Sequence, residues 1–210
     1  MVTDKPEPSR RRRIGLLGGS FDPVHAAHLE LARCARDAFA LDEIRFIPAA
    51  RPPHKRGRRL ASGPDRVHML ALAIGGWEAA RVDARELGRE GPSYSIDTVE
   101  SILSEEAGAD LYFLIGADNL EGLARWHRFE DLAAAVTFLV AQRPDQGDLD
   151  LDGLRRAFPG FRAEVLPWDG RDISSTDLRR RARSGEALHG DVPAAVADYI
   201  AERSLYEARN

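Results

Sequence analysis

The chain has 210 residues, 43% of them hydrophobic and 30% charged, with 30 basic against 34 acidic residues and a net charge of −4. That length supports one sizeable core with at most a small appended lobe, and the acidic balance argues against a bulk nucleic-acid binder. Cys34 is the one cysteine, so an intramolecular disulfide is excluded and a reducing cytoplasm suits the chain. No apolar run approaches membrane-spanning length, and the N-terminus lacks the apolar stretch of a secretory signal.

Residues 1–12 are polar, with Pro6, Pro8 and the start of an arginine run over residues 10–13. They read as a disordered, solvated arm, with a single domain over residues 13–206. Ile14-Gly15-Leu16-Leu17 has the length of a buried strand. It breaks into Gly18-Gly19-Ser20-Phe21-Asp22-Pro23-Val24-His25-Ala26-Ala27-His28. Beyond Pro23 the apolar spacing turns helical, through Val24, His28, Leu31, Ala35 and Ala38. A glycine turn lets backbone N–H groups approach a phosphate, and the start of the following helix favours an anion. His25 and His28, three apart, share a face of the first helical turn and can donate to phosphoryl oxygens. With no cysteine or third histidine close by, the pair is a poor zinc site.

Residues 43–48 form a second predicted strand. Pro52-Pro53-His54-Lys55 then stiffens a basic loop at a strand end, the edge that faces the ligand crevice of an α/β sheet. A helix follows over residues 64–74, with Val67, Leu70, Ala71 and Ile74 inward, and a short strand over 80–83. Ile96, Val99, Ile102 and Leu103 mark another helix, which Ser93 or Ser95 can cap. Residues 111–116, Leu-Tyr-Phe-Leu-Ile-Gly, read as the clearest buried strand. It ends at Gly116, which permits close ligand approach, and Asp118, which can bond a ribose hydroxyl or order a metal-bound water. Trp126 and His127 follow, the tryptophan able to stack on a flat heterocycle. A strand over 136–141 leads to Arg143, at the same edge and able to pair with phosphate. After an acidic loop, a helical turn over 154–158 and a short strand over 163–166 comes Ile173-Ser174-Ser175-Thr176-Asp177-Leu178-Arg179. This offers hydroxyls and N–H groups at a helix start, with Arg179 one turn on. A closing helix spans 192–204. Strands alternating with helices give an α/β class with a doubly wound parallel sheet.

The Gly-Gly-Ser-Phe-Asp-Pro-Val-His segment, with His28 three residues on, resembles the nucleotidylyltransferase superfamily, and within it the nicotinate-nucleotide adenylyltransferases. Arg66-Val67-His68-Met69-Leu70, Arg85-Glu86-Leu87, Pro92-Ser93-Tyr94-Ser95, Phe113-Leu114-Ile115-Gly116-Ala117-Asp118 and Ile173-Ser174-Ser175-Thr176-Asp177-Leu178-Arg179 extend the resemblance over residues 14–206. Ala27 departs from the pattern, which has glycine there, and puts a methyl group where the family lets the helix backbone approach the nucleotide. The resemblance implies a Rossmann-like fold with a small C-terminal helical part. The implied reaction joins ATP and nicotinate mononucleotide into deamido-NAD and pyrophosphate, with Mg²⁺ bridging the phosphates. His25, His28 and Arg179 are then the catalytic candidates. Gly18, Gly19, Ser20, Phe21, Lys55, Gly116, Asp118, Arg143, Ser174 and Ser175 are the ATP-binding candidates. Ser95, Trp126 and His127 take the pyridine ring and its carboxylate. No side chain is assigned as a protein metal ligand, no nucleic-acid or membrane partner is implied, and homo-oligomerisation is left open. A phosphopantetheine adenylyltransferase fits the Pro-Ser-Tyr-Ser and Gly-Ala-Asp-Asn segments poorly. An enzyme using the amide mononucleotide, or both forms, and a silent nucleotide sensor stand as alternatives.

Overall fold

The computed structural model describes residues 10–50, 60–142, 147 and 149–207. Its strands are β1 (Arg13–Gly19), β2 (Glu43–Pro48), β3 (Ala80–Val82), β4 (Asp110–Gly116), β5 (Thr137–Gln142) and β6 (Arg162–Pro167). They form one parallel sheet in the order β3-β2-β1-β4-β5-β6. The helices are α1 (Ala26–Phe39), α2 (Gly63–Ala73), α3 (Ser95–Glu105), α4 (Leu120–Leu123), α5 (Phe129–Ala135), α6 (Leu151–Ala157), α7 (Ser175–Arg183) and α8 (Ala194–Glu202). Short 3₁₀ turns lie at Arg85–Gly88 and Ala117–Asn119.

Side chains alternate across a strand, so each strand feeds two cores. Leu17, Ile44, Phe46 and Leu139 pack beneath α1, α2, α7 and α8. Leu16, Ile47, Phe113 and Phe138 pack beneath α3, α4, α5 and α6. Helices on both faces make the sheet doubly wound, as expected, and α7 and α8 complete the first core rather than hanging from it. Close packing explains Gly15 inside β1. A Cβ there would lie 2.5 Å from Ile44 Cδ1 and 2.9 Å from Leu41 Cδ1. The strand order reverses between β1 and β4, the switch point at which open α/β sheets bind ligands. Among the described residues no helix is long and apolar enough to cross a membrane.

Two expectations change, and β2 carries buried charge besides. The inward face of α2 carries Arg66, Met69 and Leu70, while Val67 is half-buried and Ala71 exposed. The helix is rotated so that the Arg66 guanidinium reaches backbone carbonyls beside β1. All six β2 residues are buried, Glu43 and Arg45 included. Arg45 is fully covered and bonded to Glu43 and Glu106, the pairing that a desolvated charge requires. Residues 1–9 lie outside the described residues, but the last part of the expected arm is not free. Arg12 donates to Glu43 at 2.5 Å and to Glu106 at 3.0 Å, and Arg10 to Asp42 at 2.5 Å. The arginine run neutralises acids at the foot of the sheet, the end opposite the switch point.

Candidate active site

Gly18 and Gly19 extend β1 instead of forming a turn, paired in register with Ile47 and Pro48. The bend comes later, at Phe21, whose φ of 45° lies in the left-handed region. The Phe21 ring is fully buried, edge-on to His28 at 5.0 Å and to Phe46 at 5.9 Å. It therefore supports the loop from below, and its expected contact with ATP is corrected to a packing role for the ring. Gly18 is exposed, so bare backbone faces the cleft.

The loop is held from beneath by buried charge. Arg66 donates to the carbonyls of Ser20 at 2.9 Å, Ala49 at 2.8 Å and Ala61 at 3.2 Å. The fully buried Asp22 carboxylate accepts from the Ala61 N–H at 3.1 Å and the Tyr206 hydroxyl at 2.9 Å. Arg179 is 2.5 Å from the Asp22 carbonyl and also donates to the Thr176 hydroxyl at 3.2 Å. Burial together with Asp22 pushes the Tyr206 phenol well above its usual range.

The histidines divide the work expected of both. His25 caps α1 in an extended conformation and is 6% exposed. His28 lines the cleft, its ring stacked on that of His25 at 3.7 Å. The His25 N–H donates to His28 Nδ1 at 3.3 Å. In a neutral ring this puts the proton on Nε2 and leaves that N–H as the group His28 can offer. Burial drives the His25 pKa down to about 4, against the raising fields of Asp191 and Glu30, so it is uncharged at neutral pH. His25 thus stands behind His28. The expected anion site at the start of α1 is partly occupied, since the Ala26 N–H donates to the Asp191 carbonyl at 2.7 Å. Ala27 is 5% exposed and does not line the cleft. Its methyl is taken up by packing rather than set against a nucleotide.

The cleft, about 590 Å³, opens between the ends of β1 and β4. Its far wall is the start of α3 with Trp126 and His127. Tyr94 occupies the N-cap position without a side-chain cap bond. Neither serine caps the helix: Ser93 Oγ accepts from the Ala50 N–H at 3.1 Å, and Ser95 is the first helical residue, lining the cleft. The His127 ring stacks on Tyr94 at 4.1 Å, and Trp126 meets Phe113 edge-on at 6.0 Å, leaving its face half-exposed.

Of the expected residues, Gly18, Gly19, Ser20, His28, Ser95, Gly116, Trp126 and His127 come together around this one space. Ser175 and Arg179 bond to backbone of the loop after β1 rather than lining this cleft, and Ser174 caps its own helix. Ser175 Oγ donates to the Pro23 carbonyl at 3.2 Å and Ser174 Oγ accepts from the Thr176 N–H at 3.2 Å. Arg179 lines a separate cavity of about 510 Å³. Asp118 is exposed and accepts from Asn119 at 3.0 Å, while Asn119 is the neighbour that lines the cleft. Lys55 and Arg143, like His54, lie outside the described residues. The reading missed Asp22 and Glu86 as buried site residues. Asp22 stands inside the first motif. A buried acid cannot be told from a loop acid until its partners, Ala61 and Tyr206, are seen.

A cleft at this switch point, with imidazole and bare backbone facing aromatic rings, defines a Rossmann-like nucleotidyltransferase. Residues 16–181 match the model of the cytidylyltransferase-like family, and the chain belongs to that family. It is 42% identical over 214 residues to a protein of Pseudomonas putida (strain GB-1) named "Probable nicotinate-nucleotide adenylyltransferase", covering 95% of this chain and 97% of the relative. A protein of the same name from Geobacillus kaustophilus is 38% identical over 197 residues, 94% of this chain and 87% of the relative. The fold is shared with Plasmodium falciparum nicotinic acid mononucleotide adenylyltransferase complexed with NaAD. That match has a TM-score of 0.75 at 18% identity, over 93% of this chain and 98% of that one.

Proposed function

We infer that the protein transfers the adenylyl group of ATP to nicotinate mononucleotide, giving deamido-NAD and pyrophosphate in NAD biosynthesis. One observation carries the reading. His28 and the bare backbone of Gly18 face Ser95, Trp126 and His127 across a single cleft. That arrangement suits two nucleotides meeting at their phosphates. The names of the relatives at 38% and 42% identity support it.

In this reading a 5′-phosphate oxygen of the mononucleotide attacks the ATP α-phosphorus in line. The bond to the α,β-bridging oxygen breaks, and pyrophosphate leaves with that oxygen. No protein nucleophile is needed, so catalysis is positioning and charge stabilisation. His28 donates to the α-phosphoryl oxygens, held in its tautomer by the His25 backbone. Gly18, Gly19 and Gly116 let the nucleotide lie against backbone, and Ser20 completes that edge. Lys55, Arg143, Ser174, Ser175 and Arg179 hold the β- and γ-phosphates. For Arg179 this requires exchanging the Asp22 carbonyl for phosphate. Ser95 and the free N–H groups at the start of α3 favour an anion, hence the pyridine carboxylate. Trp126 stacks on the ring, and a backbone N–H near His127 adds a second donor.

Among the described residues no group of three or more His, Cys, Asp or Glu side chains is placed to hold a metal. Mg²⁺ would be held by the phosphates of ATP, and the exposed Asp118 carboxylate would order a water bound to it or bond a ribose hydroxyl. The ion would screen the phosphate charge. We place the reaction in the cytoplasm, where a reduced cysteine such as Cys34 persists.

Pyrophosphate release measured with ATP and a panel of mononucleotides tests the reading. Nicotinate mononucleotide should be preferred over the amide by roughly a hundredfold, since two donors left unpaired cost about 1–3 kcal/mol each. Equal efficiencies would indicate a dual-specificity enzyme. A preference for the amide would overturn the pocket assignment, and ATP binding without pyrophosphate release would indicate a sensor.

A further inference from the structure

The cleft wall contains a group of the wrong sign for its ligands. Glu86, in the 3₁₀ turn between β3 and α3, is 7% exposed and lines the cleft. A carboxylate beside a site for phosphates repels them, so its place there needs another reason. Its hydrogen bonds supply one. Thr98 Oγ1, 1% exposed, donates to Glu86 Oε1 at 2.8 Å and accepts from Arg89 at 3.1 Å. The Ser93 hydroxyl also bonds to Glu86, while Ser93 Oγ accepts from the Ala50 N–H at 3.1 Å. The Ala49 N–H in turn donates to the Gly19 carbonyl at 2.9 Å. A continuous chain of hydrogen bonds and backbone therefore runs from the first turn of α3, through Glu86, to the end of β1.

We propose that Glu86 is a positioning residue for the pyridine side of the cleft: by accepting the Ser93 and Thr98 hydroxyls it ties the start of α3 to the segment after β2. The proposal rests on the reading that this wall takes the pyridine mononucleotide. Ser93, Tyr94 and Ser95 carry the serine hydroxyl, the helix-start N–H groups and the ring that stacks on His127. Without Glu86 two hydroxyl protons lose their acceptor, and Ser93 no longer has a fixed partner on the α3 side. Arg66 still anchors the far end of this chain, donating to the Ala49 carbonyl at 2.8 Å and to Ser20 and Ala61 besides, so loosening should fall on the α3 side and on one substrate. Burial raises the Glu86 carboxyl above its usual range, with Asp83 adding to the shift. The two hydroxyls act the other way and support the charged form, the sense expected of donors committed to a carboxylate.

The test uses the full-length protein and steady-state kinetics beside amide hydrogen exchange. Glu86→Ala should raise KM for nicotinate mononucleotide by about tenfold or more, with kcat and the KM for ATP within about threefold. Glu86→Gln keeps one acceptor oxygen and should recover most of that loss. Ser93→Ala should share the signature, and the double variant Glu86→Ala with Ser93→Ala should be little worse than Glu86→Ala alone, because one chain is being cut twice. Exchange should quicken at the amides of residues 93–98 and at Ala50 in either single variant, and nowhere in α1. If Glu86→Ala fails to fold, Ser93→Ala carries the same two readouts, and Glu86→Gln should stay close to wild type in both. An unchanged KM for the mononucleotide, a fall in kcat alone, additive effects, or unchanged exchange over residues 93–98 would each overturn the proposal. Wild-type protein that releases no pyrophosphate would sink the functional reading instead, and the exchange experiment would still decide the role of Glu86.

Discussion

The two walls of the cleft are built on different principles. On the β1 side, which the proposed reading gives to the phosphates, polar groups are spent on the protein itself. Arg66 binds three carbonyls, Asp22 is locked by Ala61 and Tyr206, and Arg179 and Ser175 bond to backbone of the same loop. On the side that the proposed reading gives to the pyridine ring, the surfaces are aromatic faces and a helix start, with His127 stacked on Tyr94, Trp126 edge-on to Phe113 and Glu86 bonded to Thr98 behind them. The difference follows from what each wall must do. A loop that presents backbone to a transferring phosphoryl group must not move, and buried charge-assisted bonds are the strongest fixed supports. A wall that receives a flat ring needs area and shape, which stacking supplies at small cost.

The comparison breaks most severely at Arg66. Removing its guanidinium leaves three carbonyls beside β1 without their donor. Arg66→Met should lose about 3–5 kcal/mol in urea denaturation, and activity should fall at temperatures where the fold still survives. His28→Ala tests the same wall without its supports. A single preorganised donor is worth about 10²–10³ in kcat, so turnover should fall on that scale with unaltered circular dichroism. Near-normal turnover would remove His28 from the chemistry.

His25 sharpens the comparison through pH. Its folded pKa of about 4 lies below the ordinary value of 6.5. As pH falls, the unfolded chain therefore takes up the proton first. The contribution is intact above pH 6.5 and lost progressively towards pH 4, amounting to about 2 kcal/mol by pH 5. Denaturation of wild type and His25→Asn at pH 7.5 and pH 5 measures it. The wild type should lose that much more than the variant between the two conditions, and equal losses would mean the buried ring is not the cause. On the opposite wall, Trp126→Ala removes a stacking face worth about 0.5–1.5 kcal/mol. KM for the mononucleotide should rise about threefold to tenfold while the stability change stays small. A larger loss of stability than of affinity would make Trp126 a core residue first.

The legible part of this protein is the part written in local pattern. The strand at Ile14, the helix after Pro23, the strand at Leu111 and the helix starts at Ser95 and Ser175 all appear within a residue or two of their observed positions. Apolar periodicity and chain punctuation are properties of neighbours in sequence, and α/β alternation constrains the sheet to parallel crossovers. That Gly18, His28, Gly116 and Trp126 would gather near strand ends was likewise legible, and they line one cleft.

What the tertiary structure alone decided is which way side chains turn and what they meet. Two histidines three apart look equivalent in sequence, yet the fold buries His25 and leaves His28 facing the cleft. Phe21 could have been a lid over a nucleotide, but the positive φ at that residue and the ring of Phe46 make it a support. Nothing local in the sequence marks Arg45, Arg66 or Glu86 as buried until their partners are seen, Glu106 for Arg45, Ser20 and Ala49 for Arg66, and Thr98 for Glu86. Burial of a charge is set by the sum of its distant partners, and that sum exists only once the chain has closed on itself.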